Sequence, residues 1–223
     1  MNTYEIVNKY LEEAEIVLAP STAKNYRSVL YEFARTCGKE EASRAKLIQH
    51  IKVLKDKGNS NNSIRCKLTD IKVFVRWAVD NGYYERDFAA NIPQPQPEYH
   101  VAERMTKDEV VTMLHMKAPK LSHVNNISRN KAIMELAIVT ASRVSAICAL
   151  NAEDIDLEHR TVTFKHTKRN KELVMPLTES LCNTIKDYME NDRPQVLTAS
   201  DPLFVGEIPR NGRFYPLTRQ QIY

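Results

Sequence analysis

Two short segments of the 223-residue chain carry residue types and spacings suited to chemistry on an anion. The first is Thr140-Ala-Ser-Arg143-Val-Ser145-Ala-Ile147, where a lone arginine follows a long apolar stretch. A guanidinium taken out of water needs an anion for its donors, and its planar fork matches phosphate or carboxylate. Two partners stay open at this point. One is a phosphate; the other is a local carboxylate such as Glu153 or Asp154, which would make Arg143 an ordinary helix-end residue. The second segment is Lys165-His-Thr-Lys168-Arg169-Asn-Lys171, four cations in seven residues without an acid. Such a turn suits a nucleic-acid backbone, and a lysine held rigidly in it could protonate a leaving alkoxide. Solubility alone also explains an exposed basic turn.

The elements that must position these residues are legible from periodicity. Thr106-Lys-Asp-Glu109 is a capping-box pattern ahead of Val110, Val111, Met113 and Leu114, so a helix is expected to begin there. Residues 129–141 carry Ile133, Leu136, Ala137 and Ile138 at helical spacing, with 145–150 continuing after an irregularity at Ala141-Ser142. The period then changes to two: Val162 and Phe164 alternate with Thr161, Thr163 and Lys165, and Leu173, Val174 and Met175 follow the basic turn. This predicts a β-hairpin with its loop near 167–171, followed by a helix over 178–190 and an irregular stretch over 193–216.

The amino-terminal half is polarised. Residues 20–86 hold 14 Lys and Arg against 7 Asp and Glu, a balance of +7, between acidic flanks over 1–19 and 87–100. Four helices are expected here: 3–17; a second through 23–36, capped by Ser21 or Thr22; 42–57, with Leu47, Ile48, Ile51 and Leu54 facing inward; and 64–82, capped by Asn62 or Ser63. Trp77, Phe74 and Val73 read as core on the last of these. Lys24, Arg27, Arg65, Lys67, Lys72 and Arg76 are the candidate contacts to a polyanion. Prolines 93, 95 and 97 favour extended chain with few contacts, which predicts a linker over 93–101 between domains at 1–92 and 102–223.

Composition narrows the class. With 43% hydrophobic and 27% charged residues the chain can bury a core, and 5 glycines are too few for a turn-dense β-sandwich. No apolar run approaches the roughly 20 residues of a membrane span, and the acidic amino terminus does not read as a leader. The four cysteines form no CxxC pair, which fits a reducing cytoplasm. No His pairing and no Gly-rich loop implies a metal or nucleotide, so no cofactor is expected.

Taken in order, these segments resemble the tyrosine recombinases of the phage integrase family. PSTAKNYRSVLYEFAR is similar to the opening of that family's core-binding domain, and SIRCKLTDIKVFVRWAVDNGYYERDFAANIPQP to its last helices and exit. ERMTKDEVVTML resembles the start of the catalytic domain, and AIVTASRVSAICAL sits where the family shows TGxRxSEL. The resemblance implies that Arg143 is a catalytic arginine. It also implies that Lys168, eight residues before Pro176-Leu177, is the hairpin lysine. Two positions depart from the pattern: Ala141 stands where the motif has glycine, and Ala146 where it has an acid. The HxxR motif, a later His or Trp and the nucleophilic tyrosine are expected beyond residue 223. His166-Thr-Lys-Arg169 spells HxxR by coincidence, and Tyr223 comes too early to be the nucleophile.

The fold expected is therefore mainly α with a small β-sheet: a helical core-binding domain and a partial mixed α/β catalytic domain. The implied activity is site-specific recombination of duplex DNA through a 3′-phosphotyrosyl link, with Arg169 and Lys171 adding backbone contacts and oligomerisation on DNA with itself or a relative. The alternative expectation is a truncated or degenerate recombinase that binds DNA without chemistry. An unrelated helical transcription regulator would leave the coincidence of Arg143 and Lys168 unexplained.

Overall fold

The computed structural model describes residues 1–99, 101–115, 127–165, 171–206, 209 and 211–222, His115 by its backbone only. The chain divides into two compact units, Met1–Ala102 and Glu103–Tyr223.

The first unit is built on α1 (Thr3–Val17), α2 (Pro20–Cys37), α3 (Arg44–Asp56) and α4 (Asn61–Asp80). Asn2 caps α1 by accepting from Glu5 N at 3.0 Å, while Glu5 accepts from Asn2 N at 3.1 Å, the reciprocal pattern of a capping box. α2 starts at Pro20, ahead of the expected Ser21 or Thr22 cap, because proline's fixed φ suits the first helical position and its missing N–H has no partner to lose there. Ser43 caps α3 and Ser60 caps α4, the latter accepting from Ser63 N at 3.2 Å in place of the expected Asn62 or Ser63.

The apolar stripes of α1, α2 and α4 meet in one core containing Ile6, Leu30, Phe33, Leu68, Phe74 and Val75. Burying each such side chain contributes about 1.5–3 kcal/mol relative to exposure. Two expectations are corrected. Ile48 is 52% exposed and His50 takes the inward position, since the stripe of α3 runs 47-50-54. Buried His50 is tolerated through a 2.8 Å hydrogen bond between Nδ1 and Thr36 Oγ1 and an edge contact with the Phe33 ring. Val73 is 43% exposed, whereas Trp77 packs between the Tyr10 and Tyr83 rings and donates from Nε1 to Glu13 at 2.9 Å.

The proline-containing segment also differs from expectation. It does not run free from residue 93; Pro95 and Glu98 are hydrogen-bonded to α4, and the compact unit reaches Ala102. Extended prolyl chain has no internal hydrogen bonds, so its carbonyls accept from the basic side chains beside it.

The second unit contains α5 (Lys107–His115), α6 (Ile127–Thr140), α7 (Val144–Cys148), β1 (Ile155–Asp156), β2 (Thr161–Phe164), β3 (Leu173–Pro176), α8 (Glu179–Asp187) and α9 (Arg219–Ile222). Thr106 and Glu109 form the expected capping box at α5. The strands make an antiparallel sheet in the order β1-β2-β3, with Val162 opposite Met175 and Phe164 opposite Leu173. β1 is too short to show a period and was not expected. α8 ends at Asp187 in a wider turn over Tyr188–Asp192, and α6 packs along α8. Their shared core joins Leu136, Ile147, Val162, Phe164, Leu181 and Phe204. Among the described residues no helix is long and apolar enough to cross a membrane.

Candidate nucleic-acid interface

Arg143 stands at a break between two helices. α6 closes at Thr140, whose buried hydroxyl donates to Leu136 O at 2.6 Å and accepts from Ser142 N at 3.3 Å. Ala141 then takes φ 49°, the left-handed region, at the position where the family motif has glycine. A Cβ there costs about 1–2 kcal/mol, and the turn forms in spite of it. Arg143 follows as the N-cap of α7, its carbonyl accepting from Ala146 N at 2.8 Å and Ile147 N at 3.2 Å. Ile147, 1% exposed, anchors α7 in the core. The Arg143 backbone is thus fixed while its side chain is exposed, with no hydrogen bond or ion pair to any described residue.

The two carboxylates that the sequence offers as partners for Arg143 both pair with Lys165. Asp154 Oδ1 lies 2.6 Å from Lys165 Nζ, and Glu153 Oε1 lies 3.1 Å from the same atom. Asp154 first and Glu153 second hold the Lys165 ammonium above the usual lysine range. Both acids sit on a short 3-10 turn, Ala152–Asp154, where Asp154 also accepts from Asn151 N at 2.8 Å. Ala152 N and Glu153 N donate to the carbonyls of Asp201 and Ala199, and buried Arg193 holds that loop by donating to Leu197, Thr198 and Pro202 carbonyls. Sequence reasoning missed this assembly. The Asn151-Ala-Glu-Asp154 capping pattern was legible, but the reach from Asp154 to the end of β2 was not.

Lys165 and Lys171 flank the hairpin turn and both are exposed; Lys168, Arg169 and His166, like Tyr223, lie outside the described residues. The sheet therefore places the two ends of the basic turn. Among the described residues no three His, Cys, Asp or Glu side chains gather as a cation site would require.

The six candidate cations of the first unit fall into three groups. Arg27 is paired with Glu15, and Lys67 with Glu32 at 2.8 Å, so carboxylates neutralise both. Arg65 and Lys72 donate to the neutral carbonyls of Pro95 and Ile92, each at 2.8 Å, and keep their charge. Lys24 and Arg76 are exposed and make no ion pair among the described residues. Among the described residues, the stripe that α4 presents with Arg65, Lys72 and Arg76 therefore has no carboxylate partner.

The phage integrase family pattern matches residues 103–223, more than half of the chain. Tyrosine recombinase XerD of Staphylococcus saprophyticus is 28% identical over 228 residues, covering 98% of this chain and 74% of the relative. Tyrosine recombinase XerC of Corynebacterium glutamicum is 26% identical over 206 residues, covering 91% and 66%. The fold matches a lambda integrase dimer bound to a COC′ core site with TM-score 0.73 at 17% identity, over 100% of this chain and 61% of that one. It matches the Tn1549 transposon integrase in complex with transposon right end DNA with TM-score 0.78 at 14% identity, over 99% and 75%. Helical units, small sheet and sequence pattern agree: this chain belongs to the phage integrase family of tyrosine recombinases. It spans about two thirds to three quarters of the length of these two curated relatives.

Proposed function

We propose that the chain is the DNA-binding and phosphate-activating part of a tyrosine recombinase that breaks and rejoins duplex DNA. The observation that carries this reading is Arg143. It is the N-cap of α7, exposed, and makes no ion pair among the described residues, while Asp154 and Glu153, the carboxylates the sequence offers it, pair with Lys165. A scissile phosphate is the anion that completes it.

In the reaction a tyrosine oxygen attacks the scissile phosphorus as the bond to the 5′-oxygen breaks, giving a 3′-phosphotyrosyl link and a free 5′-hydroxyl. Arg143 neutralises charge growing on the non-bridging oxygens, and Lys168 delivers the proton to the departing 5′-oxygen. The covalent link conserves the energy of the phosphodiester, so rejoining by the reverse step needs no nucleotide cofactor. The attacking tyrosine is assigned to no residue of this sequence. The residues 1–92 act as a core-binding domain that grips the duplex through the basic side of α2 and α4, with Arg169 and Lys171 adding contacts from the hairpin. Assembly of several copies on one DNA, with itself or a related recombinase, and a place in the cytoplasm beside the DNA belong to this same reading.

Titration of labelled duplex tests it. Binding is expected at low salt and weakens steeply as salt rises; Arg143→Ala lowers affinity by about 1.5–3 kcal/mol, roughly 10- to 150-fold. Binding that ignores both salt and Arg143 sinks the proposal.

A further inference from the structure

The extended segment after α4 is held by a ladder of side chains from that helix. Lys72 Nζ donates to the carbonyls of Ala90 at 3.2 Å and Ile92 at 2.8 Å. Gln94 Nε2 donates to Thr69 Oγ1 at 3.3 Å, and Arg65 Nη1 donates to Pro95 O at 2.8 Å. Asn62 and Glu98 close the row: Asn62 Nδ2 donates to Glu98 O at 2.6 Å, and Glu98 N donates to Asn62 Oδ1 at 3.2 Å. The Glu98 carboxylate also accepts from Asn61 N at 3.1 Å.

Residues 62, 65, 69 and 72 share one face of a helix, and they meet the segment in reverse order, so the two run antiparallel. The chemistry suits the arrangement. Pro93, Pro95 and Pro97 supply no N–H and hold the chain extended, leaving outward carbonyls that only external donors can satisfy. Ile92, 4% exposed, roots the start of the segment in the core, whereas Tyr99 and Val101 beyond it are 89% and 96% exposed.

We propose that this face of α4 is a clasp, in which Arg65 and Lys72 are positioning residues that keep Ala90–Glu98 on the first unit. The free joint between the units then begins at Tyr99, not at Pro93. This goes beyond the recombinase reading and does not depend on it.

Cleavage of the full chain by a Glu-specific protease tests the clasp, because Glu98 lies inside it and Glu103 beyond it. Wild type is cut after Glu98 at least about tenfold more slowly than after Glu103. Arg65→Ala combined with Lys72→Ala raises the Glu98 rate about tenfold and leaves the Glu103 rate unchanged, and Thr69→Val gives a smaller rise. Trp77 fluorescence reports whether each variant keeps its fold. Equal rates at the two sites in wild type overturn the clasp, whatever the variants do. So does a folded double variant in which Glu98 stays protected; if that variant also shows a reduced salt dependence of duplex binding, Arg65 and Lys72 are phosphate contacts instead. A wild-type chain that protects Glu98 but binds no duplex supports the clasp and overturns the recombinase reading.

Discussion

Asp154 holds Lys165 across the sheet: its carboxylate, 3% exposed, lies 2.6 Å from the lysine Nζ. The pair ties the residue after β2 to the short turn that follows α7, and it occupies one of the two carboxylates that the sequence offers as a partner for Arg143. Removing one member of such a pair strands the other's charge, while removing both does not. Lys165→Met is therefore expected to lower the denaturation midpoint of the second unit, followed by circular dichroism. Lys165→Met with Asp154→Asn recovers at least half of that loss. Equal losses for the single and double variants would show that the pair carries no coupling.

Ala141 at φ 49° predicts an unusual gain from glycine. Ala141→Gly removes the clash of Cβ in the left-handed region but frees the unfolded chain, for a net stabilisation of about 0.5–1 kcal/mol. Ala141→Val, β-branched, destabilises by more than 1 kcal/mol on the order-of-magnitude scale of backbone strain. Urea melts of the three proteins check the order Gly, Ala, Val; any other order means that the turn relaxes.

The first unit carries an acid-sensitive pair of sites near α3. Burial pushes the His50 imidazole down to about 4, with Glu32 opposing and Lys67 and Lys57 assisting. Burial alone would raise Glu32, but hydrogen bonds from Lys67 and Lys57 outweigh it and bring the carboxyl to about 2. Both folded-state values lie below the unfolded ones, so both contributions are complete at neutral pH. The part from His50 is lost as pH falls from about 6.5 to 4, and that from Glu32 from about 4.5 to 2. Trp77, the sole tryptophan, reads the unit's urea midpoint. His50→Leu should flatten the upper limb. Glu32→Gln should flatten the lower one and cost about 1–2 kcal/mol at pH 7, allowing for partial solvent screening. A wild-type midpoint that stays constant from pH 7 to 4 contradicts the assignment of His50.

Neutralisation within the fold sorts the basic residues of α2 and α4 for DNA. Each phosphate contact contributes about 0.9 to the slope of log affinity against log salt. Lys24→Ala and Arg76→Ala, which have no carboxylate partner among the described residues, should each reduce the slope by about that amount. Arg27→Ala and Lys67→Ala, already paired with Glu15 and Glu32, should leave it nearly unchanged. The reverse ranking would place the duplex on another face.

The sequence alone determined what depends on neighbours within a few residues. The four amino-terminal helices, the capping box at Thr106 and Glu109, and the alternation of Val162 and Phe164 all follow from periods of 3.6 and 2 and from local caps. Family membership was legible as well, since it rests on the order of short motifs around Arg143 and before Pro176-Leu177. What local pattern could not carry was partner choice. Six cations on two helices look equivalent as letters, yet Glu15 and Glu32 neutralise two of them, and the Pro95 carbonyl, thirty residues away, engages Arg65. Ile48 and His50 likewise differ from expectation because only the packed neighbours of α3 define its inward side. Asp154 and Glu153 likewise pair with Lys165, just past β2, while Arg143 is exposed. Charge pairing depends on distance in space, and at low local dielectric a few ångströms decide which cation is satisfied and which stays available to an outside anion.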